Sequence, residues 1–266
     1  MRVPMKPCLV LILCALCWMD CAASAMKSEK QTEAPSRPKR VLFIGNSFTY
    51  WHGGLWTHLN SLSHAMDPPL AFETAHVVKG GASLEVLWRD TDAASVIARG
   101  GWDFVVLQDD IPETSLASFR TYARRFVDAV RKAGACPLLF MAWEYDRLDW
   151  IDMHGIAKAH RSASLELDVD VAPVGMAWSR SRSTYPEVTM YAPDREHPSP
   201  AGMYLSLIVI EGILSGADPR TRDVPVASLR GLEQLTTDTL QGLRQVASET
   251  ILNWSKTLER TDGGKP

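Results

Sequence analysis

From Arg40 onward, short unbroken apolar runs alternate with longer stretches in which apolar residues recur every three or four positions. Arg40–Gly45 carries four apolar residues in a row and ends on glycine, the pattern of a strand buried on both faces that enters a turn. Ala75–Val78, Trp102–Leu107, Pro137–Ala142 and Val169–Val174 predict four further strands. In Ser118–Ala133 the apolar residues Phe119, Tyr122, Ala123, Phe126, Val127 and Val130 share one helical face. Ser118 suits the N-cap of that helix and Gly134 its stop. Gly54–Ala65, Met153–Leu167 and Pro200–Ser215 predict helices as well, with Pro200 and Gly216 as boundaries of the last. Leu229–Leu258 is a further helical region.

Strands alternate with helices throughout. The pattern predicts an α/β fold, a three-layer α/β/α sandwich around a mainly parallel five-stranded sheet. No internal repeat or second boundary interrupts residues 40–260, which read as a single domain. Ligand sites in such folds lie beyond the carboxyl ends of the strands. Segments that carry chemistry are therefore expected directly after strands.

The N-terminus reads differently. Arg2 and Lys6 precede an apolar run, Cys8–Met19, and Ala23-Ser24-Ala25 follows. This is the pattern of a signal peptide over residues 1–25, which predicts export to a periplasmic or extracellular location. The apolar run is too short to span a bilayer, so no stable membrane span is expected after cleavage. Residues 26–39 are polar, contain two prolines and read as a flexible linker. Four of the five cysteines lie in the predicted signal, leaving Cys136. No intramolecular disulfide is then expected, and Cys136, just before a strand, is expected to be a small buried hydrophobe. The net charge is −3 with scattered Lys and Arg, which gives no footprint for nucleic acid or anionic lipid.

Two segments carry chemistry. Gly45-Asn46-Ser47 follows the first strand, so Ser47 is expected on a strand-to-helix turn with helix N–H groups nearby. Asp194-Arg-Glu-His197-Pro-Ser precedes the last apolar helix. A serine needs a base to take its proton, and histidine is the usual one. A carboxylate three residues earlier can hold the other ring nitrogen, and Asp194 has that spacing from His197. H-E-x-x-H, Walker-type, G-x-G-x-x-G and G-x-S-x-G motifs are all absent from the sequence. Neither a metal nor an organic cofactor is expected.

With these blocks in this order, the chain resembles the SGNH (GDSL-like) hydrolases over roughly Val41–Gly216. In that family the nucleophile lies in a G-[DN]-S block after the first strand, and a D-x-x-H block stands before the final helix. The phrases VLFIGNSFT, GGASLE, VVLQ and DREHPS carry the resemblance. It implies a serine esterase with Ser47, His197 and Asp194 as its catalytic triad. It also implies an oxyanion hole, with the Ser47 N–H and Gly81 as donors, although Gly80 could serve instead. The family's asparagine is missing, and Gln108 stands at the end of the third predicted strand with the same carboxamide. Gln108 could complete the hole, or two backbone donors could suffice. Trp143 and Glu144 after the fourth strand, and Tyr50 with Trp51 and His52 after the serine, are expected at the rim as substrate contacts. The substrate class implied is a small acyl ester or a carbohydrate O-acetyl ester. A glycan-binding module on the same fold and an O-acyltransferase are the alternatives.

Overall fold

The computed structural model describes residues 37–65, 72–222 and 226–262. The predicted signal peptide and most of the predicted linker lie outside the described residues. From Arg37 on, the chain forms one compact unit.

Five strands make the sheet: β1 (Lys39–Gly45), β2 (Phe72–Val78), β3 (Phe104–Gln108), β4 (Cys136–Phe140) and β5 (Asp170–Ala172). Their order is β2-β1-β3-β4-β5 and every pairing is parallel. Among the described residues the helices are α1 (Ser47–Tyr50), α2 (Leu55–Ala65), α3 (Leu84–Asp90), α4 (Ala93–Ala98), α5 (Leu116–Lys132), α6 (Met153–Leu167), α7 (Val174–Thr184), α8 (Pro200–Ser215) and α9 (Thr237–Asp262).

The alternation of side chains along β1 divides the core. Val41 and Phe43 pack on one face with α2, α7, α8 and most of the apolar side of α9. Leu42 and Ile44 pack on the other with α3, α4, α5 and α6. All four side chains are fully buried, and each such burial contributes about 1.5–3 kcal/mol. The result is the three-layer α/β/α sandwich that the alternating pattern predicts. α5 explains itself locally. The Ser115 hydroxyl accepts from the Ser118 N–H at its N-terminus, while Phe119, Tyr122, Ala123, Phe126, Val127 and Val130 form its buried face. This N-cap lies three residues before Ser118, the expected one.

Several boundaries differ from the sequence reading. β5 spans three residues, because Val174 already opens α7. α7 reads poorly as a helix from its sequence, since Ser and Arg alternate through its second half. α3 and α4 are too short for a clear period. Cys136 is exposed rather than buried. It opens β4 at the amino end of the sheet, where the strand emerges from the turn that follows α5.

Candidate active site

The chemistry-bearing segments collect at the carboxyl ends of the strands. β1 ends at Gly45, and Ser47 opens α1 two residues later. Asn46 is the N-cap of α1 and its side-chain oxygen accepts from the Phe48 N–H at 3.0 Å. The turn is tight enough to require glycine at position 45. A Cβ there would lie 2.3 Å from Thr49 Oγ1 and 2.6 Å from Gln108 Oε1. Ser47 is 7% exposed, so its surroundings hold the hydroxyl in place while leaving a face open.

His197 lies in the loop between Tyr191 and Ser199, closed by an antiparallel bridge between Tyr191 and Pro198. Its Nε2 stands 2.8 Å from Ser47 Oγ, and its Nδ1 stands 2.8 Å from Asp194 Oδ2. The other Asp194 oxygen accepts from the N–H groups of His197 at 2.9 Å and Glu196 at 3.0 Å. Burial pushes the Asp194 carboxyl up, but these two N–H groups and the imidazole together hold it below its ordinary range. The acid stays ionised at neutral pH and can favour a proton on Nδ1. Nε2 then faces the serine as an acceptor. The structure brings Ser47, His197 and Asp194 together in the order the two motifs suggest.

The segment after β4 clamps the histidine loop. Trp143 Nε1 donates to Glu196 O at 2.8 Å, and the Asp146 N–H donates to Arg195 O at 3.1 Å. Arg147 binds the Glu196 carboxylate at 2.5 Å and also reaches Glu113 at 3.1 Å. Trp143 was expected to touch substrate, but it is 1% exposed and stacks on Trp178 at 3.6 Å. It is a core side chain with one structural hydrogen bond. Glu144 is also absorbed by the scaffold, since its carboxylate accepts from the Met153 N–H at the start of α6 and pairs with Arg182.

Gln108 does not fill the oxyanion position. It is fully buried, its Oε1 accepts from the Asn46 N–H at 2.8 Å and Thr49 Oγ1 at 3.0 Å, and its Nε2 donates to Asp109 O at 2.7 Å. Its carboxamide braces the turn from beneath. The two backbone donors expected there lie on the turns that follow β1 and β2. Ser47 is the first residue of α1, so its N–H has no acceptor inside the helix. Gly81 is exposed, has φ +62° and shows nothing within 4 Å of where a Cβ would be. Its turn starts beside the serine, for the Lys79 N–H donates to Gly45 O at 3.2 Å. Tyr50, expected at the rim, leans over Gly80, where a Cβ would meet its Oη at 2.9 Å.

The sequence reading missed a buried carboxylate. Asp110 accepts from Tyr145 Oη at 2.5 Å and from Asn46 Nδ2 at 3.0 Å. It therefore holds the residue next to Ser47. Its position after β3 is the only signal that could have pointed to it.

No protein-family model matches the chain, and no curated protein matches it in sequence. Solved structures do match. A protein from Slackia heliotrinireducens described as a candidate SGNH hydrolase is 26% identical with a TM-score of 0.56, over 67% of this chain and 100% of that one. A DUF4886 family protein from Bacteroides uniformis is 16% identical with a TM-score of 0.63, over 81% of this chain and 95% of that one. A catalytic mutant of an acetylxylan esterase from Geobacillus stearothermophilus is 16% identical with a TM-score of 0.54, over 66% of this chain and 94% of that one. The chain thus has the fold of the SGNH (GDSL-like) hydrolases, in line with the resemblance its motifs carry.

Proposed function

We propose that the chain is an exported serine ester hydrolase. The observation that carries this reading is the hydrogen-bonded series Ser47–His197–Asp194 at the carboxyl end of the sheet. His197 Nε2 takes the Ser47 proton as Oγ bonds to the ester carbonyl carbon. The carbonyl oxygen becomes an oxyanion facing the N–H groups of Ser47 and Gly81. The imidazolium, held by Asp194, then gives its proton to the leaving alcohol, and water releases the acyl group by the same steps. Losing one oxyanion donor costs about 10²–10³ in rate. A hole of two backbone donors, without Gln108, therefore supports turnover at a reduced level. No cofactor enters these steps.

For the substrate we infer a small O-acyl ester on a carbohydrate. The likeness to an acetylxylan esterase supports that choice, as does the predicted export signal.

The test is hydrolysis of p-nitrophenyl acetate and of acetylated xylo-oligosaccharides by the wild-type protein, Ser47→Ala and His197→Ala. Each substitution is expected to lower kcat by about 10³-fold or more. Wild-type rates no higher than those of both variants would remove the esterase reading and leave a binding module.

A further inference from the structure

The imidazole of His197 has two edges and two faces. Its edges are taken by Ser47 and Asp194. One face is covered by the indole of Trp51, stacked at 3.9 Å between ring centroids and 15° between planes. Phe48 meets the ring edge-on at 5.8 Å and 72°. Trp51 is half-buried and packs against the core on the α2 side of the sheet.

The neighbours of Trp51 fix it where it is. His52 Nε2 bonds to Pro198 O at 2.9 Å, so the residue after Trp51 is tied to the residue after His197. His58 Nε2 bonds to His52 O at 2.9 Å, which ties the same turn to α2. His52 itself has φ +47°, a left-handed backbone that a side-chain-bearing residue adopts only when its surroundings hold it there. The turn that presents the indole is thus secured from both sides.

We propose that Trp51 is a positioning residue for His197, holding the ring in its plane and favouring its cationic form while it carries the Ser47 proton. The proposal rests on the esterase reading for its catalytic consequence, but the coupling of the two rings does not. An indole face presents negative charge density to a cation stacked on it. Neutral imidazole gains less, so the stack favours the state in which the proton has left Ser47. Asp194 favours the cation as well, from the Nδ1 edge of the ring, and the indole adds to it from the face. Glu196 is engaged by Arg147, and Arg195 by Asp146. His52 spends its Nε2 on Pro198.

The experiment compares the wild-type protein with Trp51→Leu, Trp51→Tyr and Trp51→Phe. The first readout is the NMR titration of the His197 ring, assigned by its loss in His197→Ala. The second is the pH profile of kcat and KM on p-nitrophenyl acetate. Removing the indole is expected to lower the midpoint read in this titration, the direction that loss of a face-stacked ring gives. Tyrosine and phenylalanine should restore part of the shift. In the activity assay kcat should fall about tenfold with KM nearly unchanged, and the acid limb should move with the NMR midpoint. An unmoved midpoint in a folded Trp51→Leu protein overturns the proposal. If the leucine variant does not fold, equal midpoints for Trp, Tyr and Phe overturn it. An inert wild-type enzyme whose midpoint still depends on residue 51 overturns the esterase reading and upholds the coupling.

Discussion

Asp110→Asn should make the protein steadily more stable, relative to wild type, as pH rises from about 4.5 to 8. Asp110 is 3% exposed and receives two neutral donors, Tyr145 Oη and Asn46 Nδ2. Burial pushes its carboxyl from 3.8 up to about 7, with Glu113, Asp109 and Glu196 adding repulsion and the Tyr145 hydrogen bond opposing. In the unfolded chain it titrates near its ordinary value. Below that value the acid is protonated in both states and costs nothing. Between about 4 and 7 the unfolded chain gives up the proton and the folded protein keeps it, so stability falls with rising pH. Above about 7 the loss is complete. A shift of about three units at ~1.4 kcal/mol each amounts to about 4 kcal/mol. Asparagine has the same shape and no charge, so the variant lacks this slope. It can still present its carbonyl to Asn46. Urea unfolding of both proteins at the two pH values measures the effect, and every other titrating group is common to both. Since about 1 kcal/mol is already lost at about pH 4.5, the stability difference should change by about 3 kcal/mol between the two pH values, or roughly 6–12 °C in Tm for a chain of this size. A difference that is the same at both pH values would refute the argument that Asp110 is buried with its proton.

His160 slopes the other way. It is 2% exposed and burial lowers its imidazole from 6.5 to about 4. Its contribution is present above about 6.5 and is lost as pH falls through about 4. His160→Gln should flatten acid unfolding by about 3 kcal/mol, read by Tm between pH 4 and 7. Gly45→Ala should lower Tm and abolish measurable kcat/KM together, because the added carbon would stand 2.3 Å from Thr49 Oγ1; overpacking of this kind costs about 1–3 kcal/mol. Asp194→Asn should leave circular dichroism unchanged and reduce kcat by about 10²–10⁴-fold on p-nitrophenyl acetate, through loss of the Nδ1 partner. Arg147→Ala should lower kcat more than it lowers Tm, since it frees the Glu196 side of the histidine loop while the exposed ion pair itself contributes at most about 1 kcal/mol.

The strands and the long helices were legible because a parallel sheet covered on both sides demands unbroken apolar runs, and Val41–Ile44 and Val105–Leu107 supply them. The serine and histidine were legible because each stands at a fixed point in that alternation. The roles of Trp143 and Gln108 were not. Both occupy positions at strand ends where site residues gather, yet long-range packing absorbed them. Trp143 found Trp178 35 residues away, and Gln108 found the Asn46 turn 62 residues away. Period and propensity describe a residue's neighbours along the chain and are silent on such partners. The same holds for Asp110 and Trp51, whose work depends on residues from other segments. Cys136 was misjudged because a strand's first residue lies at the rim of the sheet, where apolar character in the strand does not imply cover.

Ser47 and His197 are separated by 150 positions, one at the start of the fold and the other just before α8. Synthesis at about 5–20 residues per second delivers the hydroxyl roughly 10–30 s before the imidazole. During that interval the nascent chain carries an alcohol with no base. A chain cut short before His197 carries the same inert alcohol for good. Turnover by this protein therefore reports that synthesis has run past residue 197 and that the first and last thirds of the fold have met.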